Sequence, residues 1–212
     1  FILGFLFLVY NKDMNNIKSR IIIFVGRSGC GKGTQIDLLK DLALKRDHRH
    51  VKTIVMGDVF RRFFEDSGYI NQVARDLSVN HGKFQPGFLT DALFINNFIE
   101  VFDKDSVFFL DGYPRSIHQL NTLKSLLEYA GEEKPLIVNM EVSRDNSRAR
   151  MEKRSREDDH SIAIENRLNE YEKHVYPLVI EAKNDEFFEV LDIDGNGTVE
   201  ETHKLIINKI FE

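Results

Sequence analysis

The stretch IIIFVGRSGCGKGT, residues 21–34, joins a run of five apolar residues to a glycine-rich turn that contains Lys32. Short runs of β-branched and aromatic residues are typical of buried strands. Glycines let the backbone turn sharply after the strand, so that successive N–H groups can face one anion. A following helix would add its positive N-terminal end, and Lys32 would add a point charge. The stretch therefore predicts a strand, a loop and a helix that together bind phosphate.

The rest of the chain alternates between similar apolar runs and stretches with helical spacing. We predict strands over residues 21–25, 51–55, 106–110, 136–142 and 187–193. We predict helices over residues 35–45, 88–102, 117–129, 162–183 and 199–211. Strands that alternate with helices pair in parallel through right-handed crossovers. These features predict a P-loop three-layer α/β/α fold with a five-stranded parallel sheet, in which ligands bind beyond the carboxyl ends of the strands.

Composition narrows the class of protein. The chain has 212 residues, a formal net charge of -5 and one cysteine, Cys30. We therefore expect one domain, no general attraction to nucleic acid, no internal disulfide and a cytoplasmic location. Residues 1–10 are apolar, but a bilayer crossing takes roughly 20 residues. We expect residues 1–19 to be an N-terminal extension without a membrane span, the alternative being a segment that contacts a membrane.

The order Gly-x-Ser-Gly-x-Gly-Lys-Gly-Thr-Gln over residues 26–35 resembles the P-loop of the adenylate kinase family, including the glycine after the lysine. Four further segments resemble that family in the same order, so the resemblance covers residues 20–211. It implies a monomeric nucleoside monophosphate kinase, specifically an adenylate kinase that uses Mg²⁺ and reversibly converts ATP and AMP into two ADP. The residues that would bind ATP are Gly29, Cys30, Gly31, Lys32, Gly33, Thr34, Arg150 and Arg154.

The first of these segments, Gly57-Asp58-Val59-Phe60-Arg61, is similar to the family's Gly-Asp-x-Leu-Arg. Asp58 can cap the helix that follows the strand at 51–55, and Arg61 would project from the first turn of that helix. A guanidinium there can fork onto a phosphate, and the resemblance implies that Arg61 holds the acceptor monophosphate. The alternative is an arginine that faces solvent.

The second segment, Gly82-Lys83-Phe84-Gln85-Pro86, resembles the family's Gly-x-Leu-Val-Pro, which lines the pocket for the acceptor base. Phe84 and Gln85 replace the usual aliphatic residues and so alter the shape of that pocket. The resemblance implies that residues 56–85 form a small helical insertion that binds the acceptor.

The third segment, Asp111-Gly112-Tyr113-Pro114-Arg115, precedes Gln119 by four positions and resembles the family's Asp-Gly-Phe-Pro-Arg with its glutamine. Asp111 closes an apolar strand and would hold Mg²⁺ through water, because Mg²⁺ dehydrates reluctantly. The glycine and the proline fix a turn that would direct Arg115 into the cleft as a second clamp on the acceptor phosphate. Gln119 can pair with the edge of adenine, the alternative being an exposed helix residue.

Two residues bear on the acceptor base. Relatives that prefer UMP or CMP resemble the third segment but carry Asn at the position of Gln119, so Gln119 favours AMP. Met56 stands where adenylate kinases usually have Thr, which counts against AMP. A UMP/CMP kinase is therefore the main alternative within the family.

The fourth segment runs from Arg150 to Asp159 and is followed by Arg167. Arg150 and Arg154 share one face of a helix, and Arg156 lies in the turn after it. Cations placed around one cleft stabilise the charge that spreads over the phosphoryl oxygens during transfer. In the family, the first of these arginines packs against the ATP base and the others grip the transferring phosphates.

The same segment would form the lid. Residues 154–159 are a minimal lid, and a zinc site of four cysteines is excluded because the chain has only one cysteine. Asp158 and Asp159 could hold the arginines in place or fix the hinge of the lid. The alternative interpretation is a solvated pair of helices with surface ion pairs.

The sequence thus predicts two further groups of site residues within a kinase domain over 20–212. The catalytic group comprises Lys32, Arg115, Arg154, Arg156 and Arg167. The acceptor-binding group comprises Gly57, Arg61, Lys83, Phe84, Gln85, Gly112, Arg115, Gln119, Arg156 and Arg167.

Two other classes of function remain open. A P-loop ATPase or switch protein would use the phosphate loop but would not explain the motifs around Arg61 and Arg115. A calcium-binding module would use residues 192–200, which resemble the first part of an EF-hand loop, but its twelfth position is His203 instead of Glu. We interpret that segment as a strand end and a turn, with Thr198 capping the last helix.

Overall fold

The structure is a computed structural model of the chain, and it describes residues 17–46, 49–154, 156 and 159–211. The strands are β1 (Ile21–Gly26), β2 (Val51–Val55), β3 (Val107–Asp111), β4 (Leu136–Glu141) and β5 (Glu189–Asp194). The helices are α1 (Lys32–Arg46), α2 (Met56–Glu65), α3 (Tyr69–Val79), α4 (Gly87–Val101), α5 (Ile117–Tyr129), α6 (Arg144–Arg154), α7 (Ser161–Glu170), α8 (Tyr176–Asn184) and α9 (Val199–Ile210). A π-helical turn, Tyr171–Val175, joins α7 to α8.

The five strands form one parallel sheet in the order β2-β3-β1-β4-β5. The strand of the phosphate loop, β1, lies in the centre. Its first five residues are buried, which explains why its sequence is continuously apolar. In the pairing of β1 with β3, Phe24 lies opposite Asp111, so both strands end at the same edge of the sheet. The predicted α/β fold with a five-stranded parallel sheet is confirmed.

Two apolar layers cover the faces of the sheet. Ile21, Ile23 and Val25 of β1 belong to one layer. Ile22 and Phe24 belong to the other, as the alternation of side chains along a strand requires. The first layer packs against α4, α5 and α8, and the second against α1 and α9. Each fully buried Ile or Phe contributes about 1.5–3 kcal/mol, so these layers hold β1 firmly beneath its loop.

The long helix predicted over 162–183 is interrupted. Helix α7 ends at Glu170 and α8 begins at Tyr176, with the π-helical turn between them. Tyr171 and Val175, at the two ends of that turn, are both buried. The wider turn therefore keeps two core side chains on the inner face, which a single regular helix pattern did not predict.

The other predicted boundaries differ from the observed ones by at most three residues. Helix α1 begins at Lys32, three residues before the predicted start, because the helix continues directly from the phosphate loop. Strand β5 begins two residues later than predicted. Phe188 precedes it in a turn, where its N–H donates to the carbonyl oxygen of Asp185 and its side chain enters the core.

The N-terminal extension expected over 1–19 overlaps the packed part of the chain. Ile17 is buried and pairs with Phe211 in an antiparallel bridge, whereas residues 1–16 lie outside the described residues. Among the residues that the structure describes, no helix combines the length and the apolar content that a bilayer crossing needs.

Helix α9 begins with a capping box. The side chain of Thr198 accepts a hydrogen bond from the N–H of Glu201 at 3.2 Å, and the Glu201 carboxylate accepts one from the N–H of Thr198 at 2.8 Å. This reciprocal pair satisfies two N–H groups that a helix start otherwise leaves without partners. The predicted cap by Thr198 is confirmed.

Replacing the N-cap residue of α9 should destabilise the fold. We expect Thr198→Ala to lower the free energy of unfolding by about 1 kcal/mol, because the N–H of Glu201 loses its acceptor. Chemical denaturation followed by circular dichroism measures the change. Lys204→Ala, at an exposed position within the same helix, is the control and should stay within about 0.5 kcal/mol of the wild type. Equal losses in the two variants would contradict the role of the cap.

Candidate active site

The loop after β1 approaches neighbouring backbone too closely for side chains at two positions. Gly26 and Gly29 have positive φ angles of 146° and 82°. A Cβ atom on Gly26 would lie 2.6 Å from the carbonyl oxygen of Met140, and one on Gly29 would lie 2.6 Å from that of Ser147. Glycine is therefore required at both positions, and the loop is seated against the ends of β4 and α6.

Lys32 is the first residue of α1 and folds back over the loop. Its Nζ donates to the carbonyl oxygens of Gly26 at 2.9 Å and Arg27 at 3.1 Å. Charged phosphate oxygens are stronger acceptors for an ammonium group than carbonyl oxygens are. Lys32 is therefore held at the loop in a position from which it can exchange these partners for an anion.

The other loop residues predicted to bind ATP differ in exposure. Cys30 is buried, with Sγ 3.5 Å from Nζ of Lys32. Gly33 and Thr34 are exposed in the first turn of α1. Cys30 thus fills space beneath the loop, whereas Thr34 is accessible at the start of α1.

The turn after β3 brings Asp111 and Arg115 to the same edge of the sheet. Asp111 is the last residue of β3 and is half-buried, and the Tyr113–Pro114 peptide bond is cis. The guanidinium of Arg115 lies over the ring of Phe84, 4.8 Å from its centroid. Burial lowers the pKa of Arg115 and the charge of Arg167 lowers it further, whereas the charge of Asp111 opposes this change. An anion beside Arg115 would stabilise its charge.

A cavity of about 310 Å³ opens beside this turn, bordered by α2, α4, α5 and the end of α7. That volume lies at the lower end of the range for small-molecule sites. Its walls include six of the residues predicted to bind the acceptor. These are Lys83, Phe84, Gln85, Gly112, Arg115 and Gln119.

A narrower crevice continues from this cavity to the phosphate loop. Lys32, Arg115 and Arg167 all line the crevice. Phe84, Gly112 and Arg115 line both spaces, so the cavity and the crevice adjoin. The fold therefore brings the lysine of the phosphate loop and two arginines from distant parts of the chain to one place.

The sequence model of the family described as adenylate kinase matches residues 24–186. The chain belongs to the adenylate kinase family. It is similar to the adenylate kinase of Corynebacterium urealyticum, with 32% identity over 182 residues that cover 85% of this chain and 93% of that protein. It is similar to adenylate kinase 1 of a Nostoc species, with 31% identity over 185 residues that cover 87% and 95%. It is also similar to the adenylate kinase of Bacteroides thetaiotaomicron, with 32% identity over 187 residues that cover 84% and 92%.

The protein is thus a nucleoside monophosphate kinase.

The position of Gln119 decides between the two interpretations of this residue, a partner of adenine or an exposed helix residue. Gln119 is only 4% exposed, and its Oε1 accepts a hydrogen bond from the N–H of Arg115 at 2.8 Å. The interpretation as an exposed helix residue is wrong, because the first turn of α5 faces the cavity. Gln119 supports the backbone of Arg115 and lines the cavity.

Arg61 of this kinase occupies a different place from the predicted one. Helix α2 follows β2 without a break and starts at Met56, so Asp58 lies inside the first turn. The prediction that Asp58 caps this helix is wrong for that reason. Asp58 and Arg61 instead form an ion pair in which both side chains are exposed. Arg61 therefore lies in the second turn, where Asp58 holds it, and Gly57 lies in the first turn beside it.

Arg150 of α6 bridges two loops. Its guanidinium donates to the carbonyl oxygens of Cys30 at 3.3 Å, Gly195 at 2.8 Å and Gly197 at 3.3 Å. These contacts tie the phosphate loop to the turn between β5 and α9. Arg150 thus lies beside the phosphate loop, as its predicted contact with ATP requires.

One carboxylate holds two of the predicted catalytic arginines. Asp159 accepts hydrogen bonds from Nε and Nη2 of Arg154 at 2.8 Å each and from Nη1 of Arg167 at 3.0 Å. Burial alone would raise the pKa of Asp159, but the hydrogen bonds and charges of these arginines outweigh it and hold the pKa below its usual 3.8. The backbone N–H of the exposed Arg156 also donates to Asp159, at 3.3 Å. Asp158 lies outside the described residues.

The turn after α3 packs against α7. Nδ2 of Asn166 donates to the carbonyl oxygen of His81 at 2.8 Å. Gly82 has a positive φ of 60°, and a Cβ atom on it would lie 2.4 Å from the carbonyl oxygen of Ala163. A larger residue would push the two segments apart, so Gly82 allows the segment after α3 to contact the helix that carries Arg167.

Several residues of the cavity wall were not predicted as site residues from the sequence, and two of them are ionisable. Glu170 and His174 both line the cavity, and they form an ion pair with 3.7 Å between Oε2 and Nε2 when His174 is protonated. Their spacing of four residues predicts that they share a helix face, but no motif marks that face as part of a site. Their position depends on packing between distant elements.

The segment that resembles an EF-hand loop is a strand end and a turn. It begins within β5, not after a helix. Asp192 accepts hydrogen bonds from Lys183 at 2.7 Å and Asn139 at 2.9 Å, and Asp194 accepts one from the N–H of Asn196 at 2.9 Å. Protein donors thus engage these carboxylates, and the structure does not favour the calcium-binding alternative.

Removing the charge of Asp159 should slow the reaction. We expect Asp159→Asn to lower kcat roughly 10-fold to 100-fold, because two arginines lose the group that orients them and small misplacements at an active site have effects of that size. Steady-state ADP formation measures the change. Asp185→Asn removes an ion pair with Lys124 before β5, at the opposite edge of the sheet, and should keep the wild-type kcat. Wild-type turnover in Asp159→Asn would contradict the prediction.

The lowered pKa of Asp159 predicts that the free energy of unfolding depends on pH. Because the pKa of Asp159 in the folded protein lies below 3.8, its contribution is fully present above about pH 4 and is lost as the pH falls through the folded pKa. We expect the difference in free energy of unfolding between the wild type and Asp159→Asn to shrink below about pH 4. Urea denaturation at a series of pH values measures it. A difference that is constant with pH would show that the charge of Asp159 is not its source.

Proposed function

We propose that this kinase reversibly transfers a phosphoryl group from ATP to AMP, with Mg²⁺, and so produces two ADP. The observation that carries the proposal is the crevice that Lys32, Arg115 and Arg167 line beside the acceptor cavity. Phosphoryl transfer requires positioning and charge stabilisation, and it needs no covalent intermediate on the protein. Cations between a phosphate loop and a cavity for a second nucleotide meet that requirement.

ATP would bind at the phosphate loop. The backbone N–H groups of residues 29–34 and the positive end of α1 would hold its phosphates. Lys32 would release the carbonyl oxygens of Gly26 and Arg27 and bind phosphate oxygens, which are stronger acceptors. Arg150, which lies beside the loop, would pack against the ATP base.

Asp111 suits a magnesium ion. It is a half-buried carboxylate at the end of β3, paired in register with the strand of the phosphate loop. Carboxylate oxygens are the hard ligands that Mg²⁺ prefers, and Asp111 would hold the ion through water. A bound Mg²⁺ would supply positive charge that neutralises part of the charge of the phosphate groups.

AMP would occupy the cavity. The amide of Gln119 would pair with the edge of adenine, and Phe84 would form part of the wall around the base. Arg115 and Arg61 would hold the phosphate. Arg61 would exchange Asp58 for that phosphate, which is feasible because exposed ion pairs contribute little stability. The remaining acceptor-binding residues of this proposal are Gly57, Lys83, Gln85, Gly112, Arg156 and Arg167.

The charge of the transition state would be stabilised from several sides. The residues that we assign to this role are Lys32, Arg115, Arg154, Arg156 and Arg167. Asp159 would orient two of them. Within a kinase domain over 20–212, residues 56–85 would form the acceptor-binding insertion and residues 154–159 a short lid that limits the access of water.

The alternative acceptors are UMP and CMP. Met56, which favours them, is buried at the start of α2. It packs beside Gly112 of the cavity wall, where a Cβ atom on the glycine would lie 3.3 Å from Cβ of Met56. A thioether in this place offers no hydroxyl group to a base, whereas adenylate kinases usually have threonine at this position.

An acceptor panel tests the proposal. ATP and Mg²⁺ are supplied with AMP, CMP, UMP, GMP or dTMP in parallel, and ADP formation is followed by a coupled assay. We expect AMP to give the highest kcat/KM. A higher value with CMP or UMP would replace the proposal by the UMP/CMP alternative, and ADP formation that does not depend on any acceptor would indicate an ATPase.

Arg61 has a neighbouring arginine that serves as its control. We expect Arg61→Ala to raise the KM for AMP roughly 10-fold to 100-fold, because a charged hydrogen bond contributes about 1.5–3 kcal/mol. The KM for ATP should change less than about twofold. Arg62→Ala removes an exposed arginine whose Nη2 lies 3.4 Å from Oδ1 of Asn97, and it should leave both KM values unchanged. Equal effects of the two substitutions on the AMP KM would remove Arg61 from the site.

A further inference from the structure

Arg27 of the phosphate loop contacts three separate groups. Its Nη1 donates to the carbonyl oxygen of Val142 at 2.8 Å. Its guanidinium carbon lies 4.3 Å from the centroid of the Tyr171 ring. Its Nη2 lies 3.5 Å from Oε1 of Glu172. The side chain therefore joins the phosphate loop to the connection between β4 and α6 and to the π-helical turn after α7.

The π-helical turn is directly linked to the helix that carries Arg167. The N–H of Tyr171 donates to the carbonyl oxygen of Arg167, so these two residues lie one helical turn apart and are joined by the helix backbone. Tyr171 also lines the crevice together with Lys32 and Arg167. A shift of the Tyr171 ring relative to the phosphate loop would therefore change the distance between these two cations.

The acidic partner of Arg27 is itself anchored. Nη1 of Arg144 donates to Glu172 at 2.8 Å, and this hydrogen bond, together with the charges of Arg144 and Arg27, holds the pKa of Glu172 below its usual range. Arg144 also donates to Glu165 at 3.1 Å and to Asn169 at 2.7 Å. Glu172 is thus a fixed anion, attached to α6 and α7, in front of the guanidinium of Arg27.

The contacts of Arg27 fix its geometry and occupy its terminal nitrogens. A planar guanidinium can stack on the face of an aromatic ring, and a cation–π interaction attracts the two groups to each other. Nη1 and Nη2 are engaged with Val142 and Glu172. An effect of Arg27 on the reaction would therefore act through the position of other groups and not through contact with a phosphate.

We propose that Arg27 is a positioning residue for phosphoryl transfer. By stacking on Tyr171 and bonding to Val142, it sets the spacing between Lys32 on the phosphate loop and Arg167 on α7. The inference rests on the proposed phosphoryl transfer, and it adds a residue that the sequence motifs do not mark. Its effect should appear in kcat, because the spacing of the two cations matters most when charge develops on the transferring group.

The test compares Arg27→Ala with Arg148→Ala in the full chain. Arg148 pairs with Glu165 at 2.6 Å on the other side of the same charge network, so its replacement also removes an arginine–glutamate pair but leaves the phosphate loop untouched. We expect Arg27→Ala to lower kcat about 10-fold or more, with the KM for AMP within about twofold of the wild type. Arg148→Ala should keep the wild-type kcat. Assays are run well below the melting temperature of each variant.

A double-mutant cycle identifies the stack as the cause. In a Tyr171→Leu background, Arg27→Ala should lower kcat by less than about twofold, because its partner is already absent. Arg27→Lys keeps the charge but cannot form the planar stack, so its kcat should fall between those of the wild type and Arg27→Ala. Independent, multiplicative effects of the two substitutions would overturn the proposal, as would a wild-type kcat in Arg27→Ala.

Folding and the proposed function are checked separately. If Arg27→Ala does not fold, Arg27→Lys and Tyr171→Leu carry the test, and wild-type kcat in both would overturn the inference. If the wild-type enzyme forms no ADP in an AMP-dependent way, the proposed function itself fails. An active wild type with an equally active Arg27→Ala contradicts only the role of Arg27.

Discussion

The parallel pairing of β1 with β3 is the constraint on which the site depends. With Phe24 opposite Asp111, the phosphate loop and the turn that carries Arg115 must leave the sheet at the same edge. Both strands are buried on their two faces, so neither can slide without moving apolar side chains out of the core. The spacing between the lysine of one loop and the arginine of the other is therefore fixed by the hydrophobic packing of the two strands that carry these loops.

Gathering cations at that edge has an electrostatic cost, which the protein offsets with carboxylates and aromatic rings. Burial and the charge of Arg167 both lower the pKa of Arg115, and Asp111 opposes them. Asp159 neutralises Arg167 on its other side. Phe84 lies under the guanidinium of Arg115, and a ring face attracts a cation without competing for its hydrogen bonds. The donors can thus remain directed at the crevice, where phosphate groups would complete the balance of charge.

Sequence reasoning succeeded where the physical cause is local. Continuous apolar runs predict buried strands, and the glycines of the phosphate loop predict its turn. The cap by Thr198 is also predictable, because its partner Glu201 lies only three residues further along the chain. It failed where the cause lies elsewhere in the fold. Asp58 does not cap α2 because that helix starts directly at the end of β2, and the helix predicted over 162–183 is interrupted by a π-helical turn that keeps two core side chains on its inner face. The partners of Arg27 come from residues more than 100 positions away, which no local pattern specifies.

The two arginines that we assign to the acceptor phosphate differ in a way that suits successive steps. Arg115 is fixed by the buried turn after β3 and by Phe84, so it would define where the phosphate lies. Arg61 is exposed and forms an ion pair with Asp58, which is also exposed, so it could leave Asp58 at little cost when a stronger anion arrives. The segment that follows α2 and α3 packs on α7 through Gly82 and Asn166. In the proposed reaction, the fixed arginine would therefore set the position of the phosphate, and the exposed one would adjust to it.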